Sequence, residues 1–206
     1  MFDRVLLLIT GLLAAYQVAV GINGLGNVPM IAYTVGFGVL LVAGLLMIIL
    51  GFEILDSPVV VIVSTIIPLS LSLGLVWEHL ENWHSLYLGF VIAGFLAILI
   101  TRSFPMPSPV LKPGLPSKLP TIILALVHGI AGLIIFLLPS ILAANGTMKP
   151  GFAMVGLGGA LIGIGGLLLS FLKAGKPILP KETILRVLPG LLLLMTAAFV
   201  TGFALG

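Results

Sequence analysis

His128 is the residue whose type and position could do most chemistry. It lies about eight residues into an apolar run, roughly 12 Å deep if that run is a membrane-spanning helix. A buried imidazole there needs a partner: it could ligate a haem or chlorophyll, relay a proton, or bond to a nearby Ser, Thr or carbonyl. His79 and His84 fall at the opposite interface, which argues against a two-histidine haem. We interpret His128 as structural and assign no cofactor.

A short predicted loop collects acidic and imidazole side chains, which can bind a divalent cation. Its members are Glu78, His79, Glu81 and His84. Their spacing matches no zinc signature, so we predict no metal site. The predicted spans hold no deep Asp or Glu, and the sequence lacks Gly-x-Ser-x-Gly and His-Glu-x-x-His motifs. A lipid-modifying enzyme would have to rely on this loop alone, and we therefore predict no catalytic activity.

Few polar side chains interrupt the apolar runs, and most of them share one depth near the predicted outer surface. They could line an outward-facing vestibule between the first three helices and the fourth, or supply hydrogen bonds between helices. The ligand or pathway candidates are Tyr16, Gln17, Tyr33, Ser70 and Ser72, with Thr34 and Tyr87 beside them and His128 apart.

Composition indicates the elements that must position these residues. Hydrophobic residues make up 60% of the 206 and charged residues only 7%, with a mean hydropathy of +1.35, so the solvent of this fold is lipid. A helix crossing about 30 Å of hydrocarbon needs roughly 20 apolar residues. Seven such runs predict an all-α, polytopic membrane protein. They are Val5 to Ile22, Pro29 to Phe52, Pro58 to Trp77, Trp83 to Ile100, Thr121 to Ala143, Phe152 to Leu172 and Ile184 to Leu205.

The cations predict an orientation, because Lys and Arg are retained in the cytoplasm during insertion. With seven spans, eight of the nine fall on one side and only Lys149 on the other. The eight are Arg4, Arg102, Lys112, Lys118, Lys173, Lys176, Lys181 and Arg186. Trp77 and Trp83 would then mark the outer interface. We expect a cytoplasmic N-terminus and an outside C-terminus in a bacterial-type inner (plasma) membrane. The cations form no patch with interleaved aromatics, which argues against nucleic acid as a partner.

Features of the first three spans recur in the last three at an offset of about 120 residues. The matches are Gly11-Leu12 with Gly132-Leu133, Asn23-Gly24 with Asn145-Gly146, Val35 to Gly38 with Val155 to Gly158, and Pro68 with Pro189. They predict a parallel repeat in a 3+1+3 arrangement: a first unit at 1–77, a linking helix at 78–100, a proline-rich cytoplasmic linker at 101–120 and a second unit at 121–206. This plan is similar to that of the SWEET sugar transporters in topology alone, because the Pro-Gln motif of that family is missing here.

Glycine and proline add candidates for packing and for motion. The sixth span is the richest in glycine, and we assign Gly156, Gly159 and Gly163 to close helix packing. Pro68 and Pro189 lie inside their spans, where each removes a backbone hydrogen bond. Their paired positions make them hinge candidates, although static kinks are common in membrane helices.

The sequence favours a non-catalytic membrane protein, a scaffold or accessory subunit of a membrane complex. Its partners would be the lipid bilayer and either other membrane subunits or further copies of itself. The alternative is a transporter or channel for a small, weakly polar or lipidic solute. A continuous polar cavity reaching from Tyr16, Gln17 and Ser70 toward the bilayer centre would favour the alternative.

Overall fold

The protein is all-helical in the computed structural model, which describes residues 2–22, 24–104, 119–173 and 177–206. Its helices are α1 (Phe2–Val20), α2 (Asn27–Leu50), α3 (Pro58–His79), α4 (His84–Ser103), α5 (Leu119–Ala144), α6 (Ala153–Lys173) and α7 (Lys181–Leu205). Each of the seven is long and apolar enough to cross a membrane. The prediction of an all-α chain with seven such helices is confirmed.

Glycine and proline set several helix ends. Gly21 and Gly51 have φ values of 68° and 78°, a left-handed conformation that glycine adopts at little cost. Helix α2 therefore ends at Leu50, two residues before the predicted boundary, and Phe52–Asp56 forms a 3-10 turn. Pro58 opens α3, where its missing N–H costs nothing.

Six helices contact one another in a closed order, and α4 lies outside it. Helix α1 packs on α2, α2 on α3, α3 on α5, α5 on α6, α6 on α7, and α7 returns to α1. We call these six helices the ring. Helix α4 packs on α3 and α5, and Gly94 lets it approach the Val127 side chain.

Helices that are consecutive in the chain alternate in direction, which gives the bundle two distinct ends and makes the ring pairs α3–α5 and α7–α1 parallel. At the C-terminal end, where α7 finishes, the Phe203 ring lies 4.7 Å from Tyr33 near the start of α2 and 6.3 Å from Phe152, just before α6. His79, which ends α3, also contacts Phe152. At the N-terminal end, where α1 begins, the α2–α3 connection meets the end of α6 and the start of α7.

Apolar side chains fill the interior of the ring. Phe37 of α2 and Phe199 of α7 are each 1% exposed, and they pack with Leu75, Ile135 and further residues into one core cluster. A second, smaller cluster of Leu69, Ile98, Val127 and Ala131 joins α3, α4 and α5. The ring core is therefore a packed apolar interior like that of a helical bundle.

The predicted linker at 101–120 falls mostly outside the described residues. Residues 101–103 continue α4, and Leu119 already belongs to α5, so the segment between these helices is shorter than predicted at both ends. Lys112, Lys118 and Lys176 also lie outside the described residues.

Candidate functional site

Two of the predicted pathway residues meet at the C-terminal end of the bundle. Gln17 of α1 and Tyr33 of α2 line a cavity of about 10 Å³ together with Thr34 and Phe37. A cavity of this size holds about one water molecule. Gln17 Nε2 donates to the Gly21 carbonyl oxygen at 2.8 Å, so the amide also closes the end of its own helix.

The other three residues predicted to share this depth, Tyr16, Ser70 and Ser72, do not line this cavity. Tyr16 is 53% exposed on the outside of the bundle, although its neighbour Gln17 is buried. Ser70 lies in the α2–α3 contact, where a Cβ on Gly36 would stand 2.7 Å from its Oγ. Ser72 is completely buried on α3 near Tyr87 of α4. These residues do not converge on a shared vestibule.

The buried Ser and Thr hydroxyl groups are satisfied by their own helices. Each donates to a backbone carbonyl four residues earlier, a local bond that needs no partner on another helix. The distances are 2.9 Å for Thr10 to Leu6, 2.8 Å for Thr65 to Val61, 2.6 Å for Ser70 to Ile66, 2.6 Å for Ser72 to Pro68, 2.7 Å for Thr101 to Ala97 and 2.7 Å for Thr196 to Leu192. No polar pathway is built from these side chains.

His128 follows the same pattern. Its Nδ1 lies 3.2 Å from the Leu124 carbonyl oxygen, one turn earlier on α5, and the side chain is half-buried. Because a carbonyl only accepts, this bond requires the proton on Nδ1. A cofactor or proton relay would have to use Nε2. Arg102, near the end of α4, is close enough to influence the His128 imidazole electrostatically.

The polar loop between α3 and α4 is organised by ring stacking. His84 stacks on Trp77 with centroids 4.4 Å apart, and His79 contacts Phe152 edge-on at 5.4 Å. Within the described residues, no three His, Asp or Glu side chains are grouped to hold a metal ion.

Helix α4 carries three polar atoms that are buried without a formed hydrogen bond, one of them Arg102 Nε near the end of the helix. His84 Nε2 has no partner, and neither has the Tyr87 hydroxyl, which lies near Ser72 but outside hydrogen-bond geometry. They are one helical turn apart on the side of α4 that packs against α3. These orphan atoms make α4 the least satisfied helix of the described structure.

An aromatic cluster at the C-terminal end was not foreseen from the sequence. Tyr33 and Phe37 of α2 meet Phe199 and Phe203 of α7, and Phe152 completes the group. The centroid distances of 4.7–6.4 Å and the tilted or edge-on angles are those of favourable aromatic pairs. The i, i+4 spacing of aromatics in both helices is the sequence signal that could have found them.

A larger cavity at the N-terminal end was also missed. It measures about 210 Å³ and is bounded by the α2–α3 connection, the end of α6 and the start of α7. Its lining residues are Phe52, Glu53, Leu55, Leu169, Leu172, Lys181 and Leu185. Sequence spacing gives no sign that the α2–α3 turn lies beside the end of α6 and the start of α7.

The packing glycines and the prolines occupy different environments. A Cβ on Gly156 would collide with Ser140 Oγ and the Phe136 carbonyl oxygen, and one on Gly159 would stand 2.9 Å from backbone atoms of α5. Gly163 faces open space. Pro68 and Pro189 are both buried inside their helices, and α5 contains a further internal proline, Pro139, that the repeat does not pair.

Comparison with known proteins adds no relative: no protein-family model matches the chain, and neither a curated protein nor a solved structure matches it significantly.

Proposed function

We propose that this protein is a non-catalytic integral membrane subunit, a scaffold or accessory chain of a membrane complex. The observation that carries the proposal is the satisfaction of the buried Ser and Thr hydroxyls within their own helices around an apolar core. A carried polar solute needs side chains that replace its hydration, and a catalyst needs convergent polar groups. Self-contained helices with apolar outer faces suit packing against other membrane chains.

The same proposal includes an arrangement and an orientation. The contacts α3–α5 and α7–α1 correspond if α1–α3 and α5–α7 are parallel repeats, which supports the 3+1+3 plan with α4 as the linking helix. Arg4, Arg102, Lys181 and Arg186 belong to the N-terminal end of the bundle and Lys149 to the C-terminal end. This asymmetry favours a cytoplasmic N-terminal end in a bacterial-type inner membrane.

The proposal is tested by isolating tagged protein from its native membranes in a gentle detergent and measuring native mass, visible absorption and co-purifying chains. We expect a stoichiometric partner subunit or a defined homo-oligomer. A colourless monomer recovered alone, also after crosslinking in the intact membrane, would contradict the proposal.

Open glycines provide the matched variants that map the contact face. Gly38, Gly89, Gly129 and Gly163 lie on four different helices, and nothing stands within 4 Å of a Cβ added to any of them. Changing each to Leu should leave the isolated chain folded. We expect one of the four variants to lose the partner while keeping the thermal stability of the unassembled protein. Equal assembly of all four would place the partner contact on a face that these glycines do not sample.

Transport of a small, weakly polar or lipidic solute is the second candidate. It is favoured by the cavity at the N-terminal end of the ring and the aromatic cluster at the other end, a combination expected of a carrier open on one side. The sequence has no cysteine, so single-cysteine variants need no altered background. A Leu185→Cys side chain that an impermeant thiol reagent reaches from both membrane faces would support transport. Labelling from one face only would favour the subunit.

A further inference from the structure

The cavity at the N-terminal end has a mixed lining that is not explained by packing. Five of its residues are apolar, and the remaining two are Glu53 and Lys181, both exposed. Its volume of about 210 Å³ is below the roughly 300 to 1,000 Å³ of pockets for drug-sized molecules. It would hold only a few water-sized groups, each occupying about 30 Å³ in the liquid. Its size suits a small polar group rather than a large organic ligand.

The two charges of the cavity come from opposite halves of the chain. Glu53 lies in the 3-10 turn that joins α2 to α3, and Lys181 is the first residue of α7. The described parts of α2 and α7 meet through the aromatic cluster at the C-terminal end, whereas the cavity lies at the N-terminal end between the α2–α3 turn and the ends of α6 and α7. A ligand seated there would contact both three-helix units.

The start of α7 adds positive potential to the side of the cavity that holds Lys181. Pro180 caps this 25-residue helix without a side-chain hydrogen bond to its first turn. The N–H groups of Thr183 and Ile184 already donate to the Pro180 carbonyl oxygen, but the positive end of the helix dipole favours an anion, and Lys181 is the first residue of the helix. Glu182 follows in that turn, but it does not line the cavity. Lys181 with the helix start therefore forms a site for an acidic oxygen group.

Glu53 supplies a negative charge on the other side of the cavity, which attracts a cationic group. A carboxylate accepts hydrogen bonds from an ammonium group and attracts its charge. Apolar side chains, among them Phe52, Leu172 and Leu185, line the cavity beside these two charges, and surroundings of low polarity strengthen electrostatic contacts. A purely anionic ligand would be repelled by Glu53, and a purely cationic one by Lys181.

We propose that this cavity binds a phosphate–ammonium zwitterion, with the phosphate at Lys181 and the ammonium at Glu53. The cavity lies at one end of the bundle of membrane-spanning helices, where lipid headgroups lie, and its lining is largely apolar. Both features favour the headgroup of an ethanolamine phospholipid from the surrounding bilayer. Free phosphoethanolamine carries the same two groups and is the soluble source of this chemistry. The proposal does not depend on the protein's being a subunit or a transporter.

Native mass spectrometry of the full chain in detergent tests the proposal with three probes. These are short-chain phosphatidylethanolamine, short-chain phosphatidylglycerol and free phosphoethanolamine. We expect phosphatidylethanolamine to bind saturably, and Lys181→Gln or Glu53→Gln to weaken it at least about tenfold, the effect of losing one charge-assisted contact. Lys149→Gln and Glu81→Gln remove one cation and one anion at the opposite end, and they should leave binding unchanged.

A charge-swapped variant separates recognition from damage to the fold. Lys181→Glu combined with Glu53→Lys keeps both charges in the cavity, and it should bind better than either single Gln variant. All variants should keep the thermal stability of the original chain, because both side chains are exposed.

The remaining outcomes are equally decisive. Free phosphoethanolamine bound as tightly as the lipid, with the same dependence on both residues, would support the zwitterion site and identify a soluble source. Phosphatidylglycerol bound as tightly as phosphatidylethanolamine, and more tightly by Glu53→Gln, would overturn the proposal in favour of a simple anion site. Binding that neither substitution alters would overturn it as well.

Discussion

The helices α1–α3 and α5–α7 contact their neighbours in the same order, but they do so with different chemistry. In the first unit, the tightest approach is between α2 and α3, where Gly74 faces the Tyr33 ring and Gly36 faces Ser70. In the second unit, glycines of α6 approach both neighbours: Gly156 and Gly159 face α5, while Gly158 faces Phe199 of α7. The middle helix of the second unit is therefore the more closely packed one.

This difference limits what a residue match between the units means. Gly36 and Gly156 occupy matching positions of the predicted repeat, yet Gly36 packs on the third helix of its unit and Gly156 on the first. Glycine allows close approach wherever the local backbone needs it. Helix order and glycine position must therefore be judged separately when a duplication is proposed.

The largest expected effect comes from the contact that joins the two units. Phe37→Ala and Phe199→Ala should each cost about 2 to 3 kcal/mol of unfolding free energy. This is less than the 3 to 5 usual in soluble cores, because lipid replaces the water-transfer part of the cost. The ring centroids are 6.4 Å apart, so the two losses should be less than additive in the double variant. Unfolding in mixed detergent micelles measures all three. Simple additivity would show that the units are not coupled through this pair.

Gly159→Ala should cost about 2 kcal/mol, since the new methyl would meet backbone atoms of Ile135 and Phe136 that cannot rotate away. The matched control is Gly163→Ala, four residues later on the same helix and in open space. We expect that change to stay within about 0.5 kcal/mol. Thermal unfolding of the purified proteins compares them, and equal losses would contradict the assigned α5–α6 contact.

Gly74→Ala should cost less, about 1 kcal/mol, because the methyl meets the Tyr33 side chain and not a backbone. Tyr33→Leu should then remove most of this cost. The corresponding Ile135→Ala should not rescue Gly159→Ala, because the backbone obstruction remains. Double-mutant cycles measured by the same unfolding assay make this contrast quantitative. If the second substitution restored stability to both glycine variants, or to neither, the two units would not differ in whether a glycine packs on a side chain or on a backbone.

The smallest effect is expected at buried hydroxyls that are bonded within their own helix in both units. Thr10 of α1 and Thr196 of α7 are completely buried, and each bonds to a carbonyl of its own helix. Thr→Val at either position should change stability by no more than about 0.6 kcal/mol, the average for hydrogen bonds within membranes. A loss above 2 kcal/mol on unfolding would reveal an interhelical role for that hydroxyl.

The seven helices could be predicted because length and apolar composition alone define a membrane-spanning segment. The inward-facing side of each helix could not, because lipid-facing and core-facing residues are equally apolar and periodicity is weak. Tyr16 and Gln17 illustrate the point: they are neighbours at one predicted depth, yet Tyr16 is exposed on the outside of the bundle and Gln17 is buried.

The candidate sites were predicted less completely than the helices. The position of His128 inside α5 and the role of Gly159 in close helix packing could be predicted from local sequence. The cavity around Lys181 and Glu53 depends on the start of α7 and the α2–α3 turn, more than 120 residues apart in the chain, meeting at one end of the ring. No local pattern encodes that meeting, because it results from helix packing order.

The bonding of Thr10, Ser72 and Thr196 to their own helices bears on how the chain is assembled. A segment that leaves the insertion machinery enters hydrocarbon before its neighbours are present, and an unpaired hydroxyl would be costly there. Since these hydroxyl groups already have partners, each helix can stay in the bilayer alone and pack against the other helices later. Helix α4, with the Tyr87 hydroxyl and His84 Nε2 unpaired, would gain most from late contact with another polar surface.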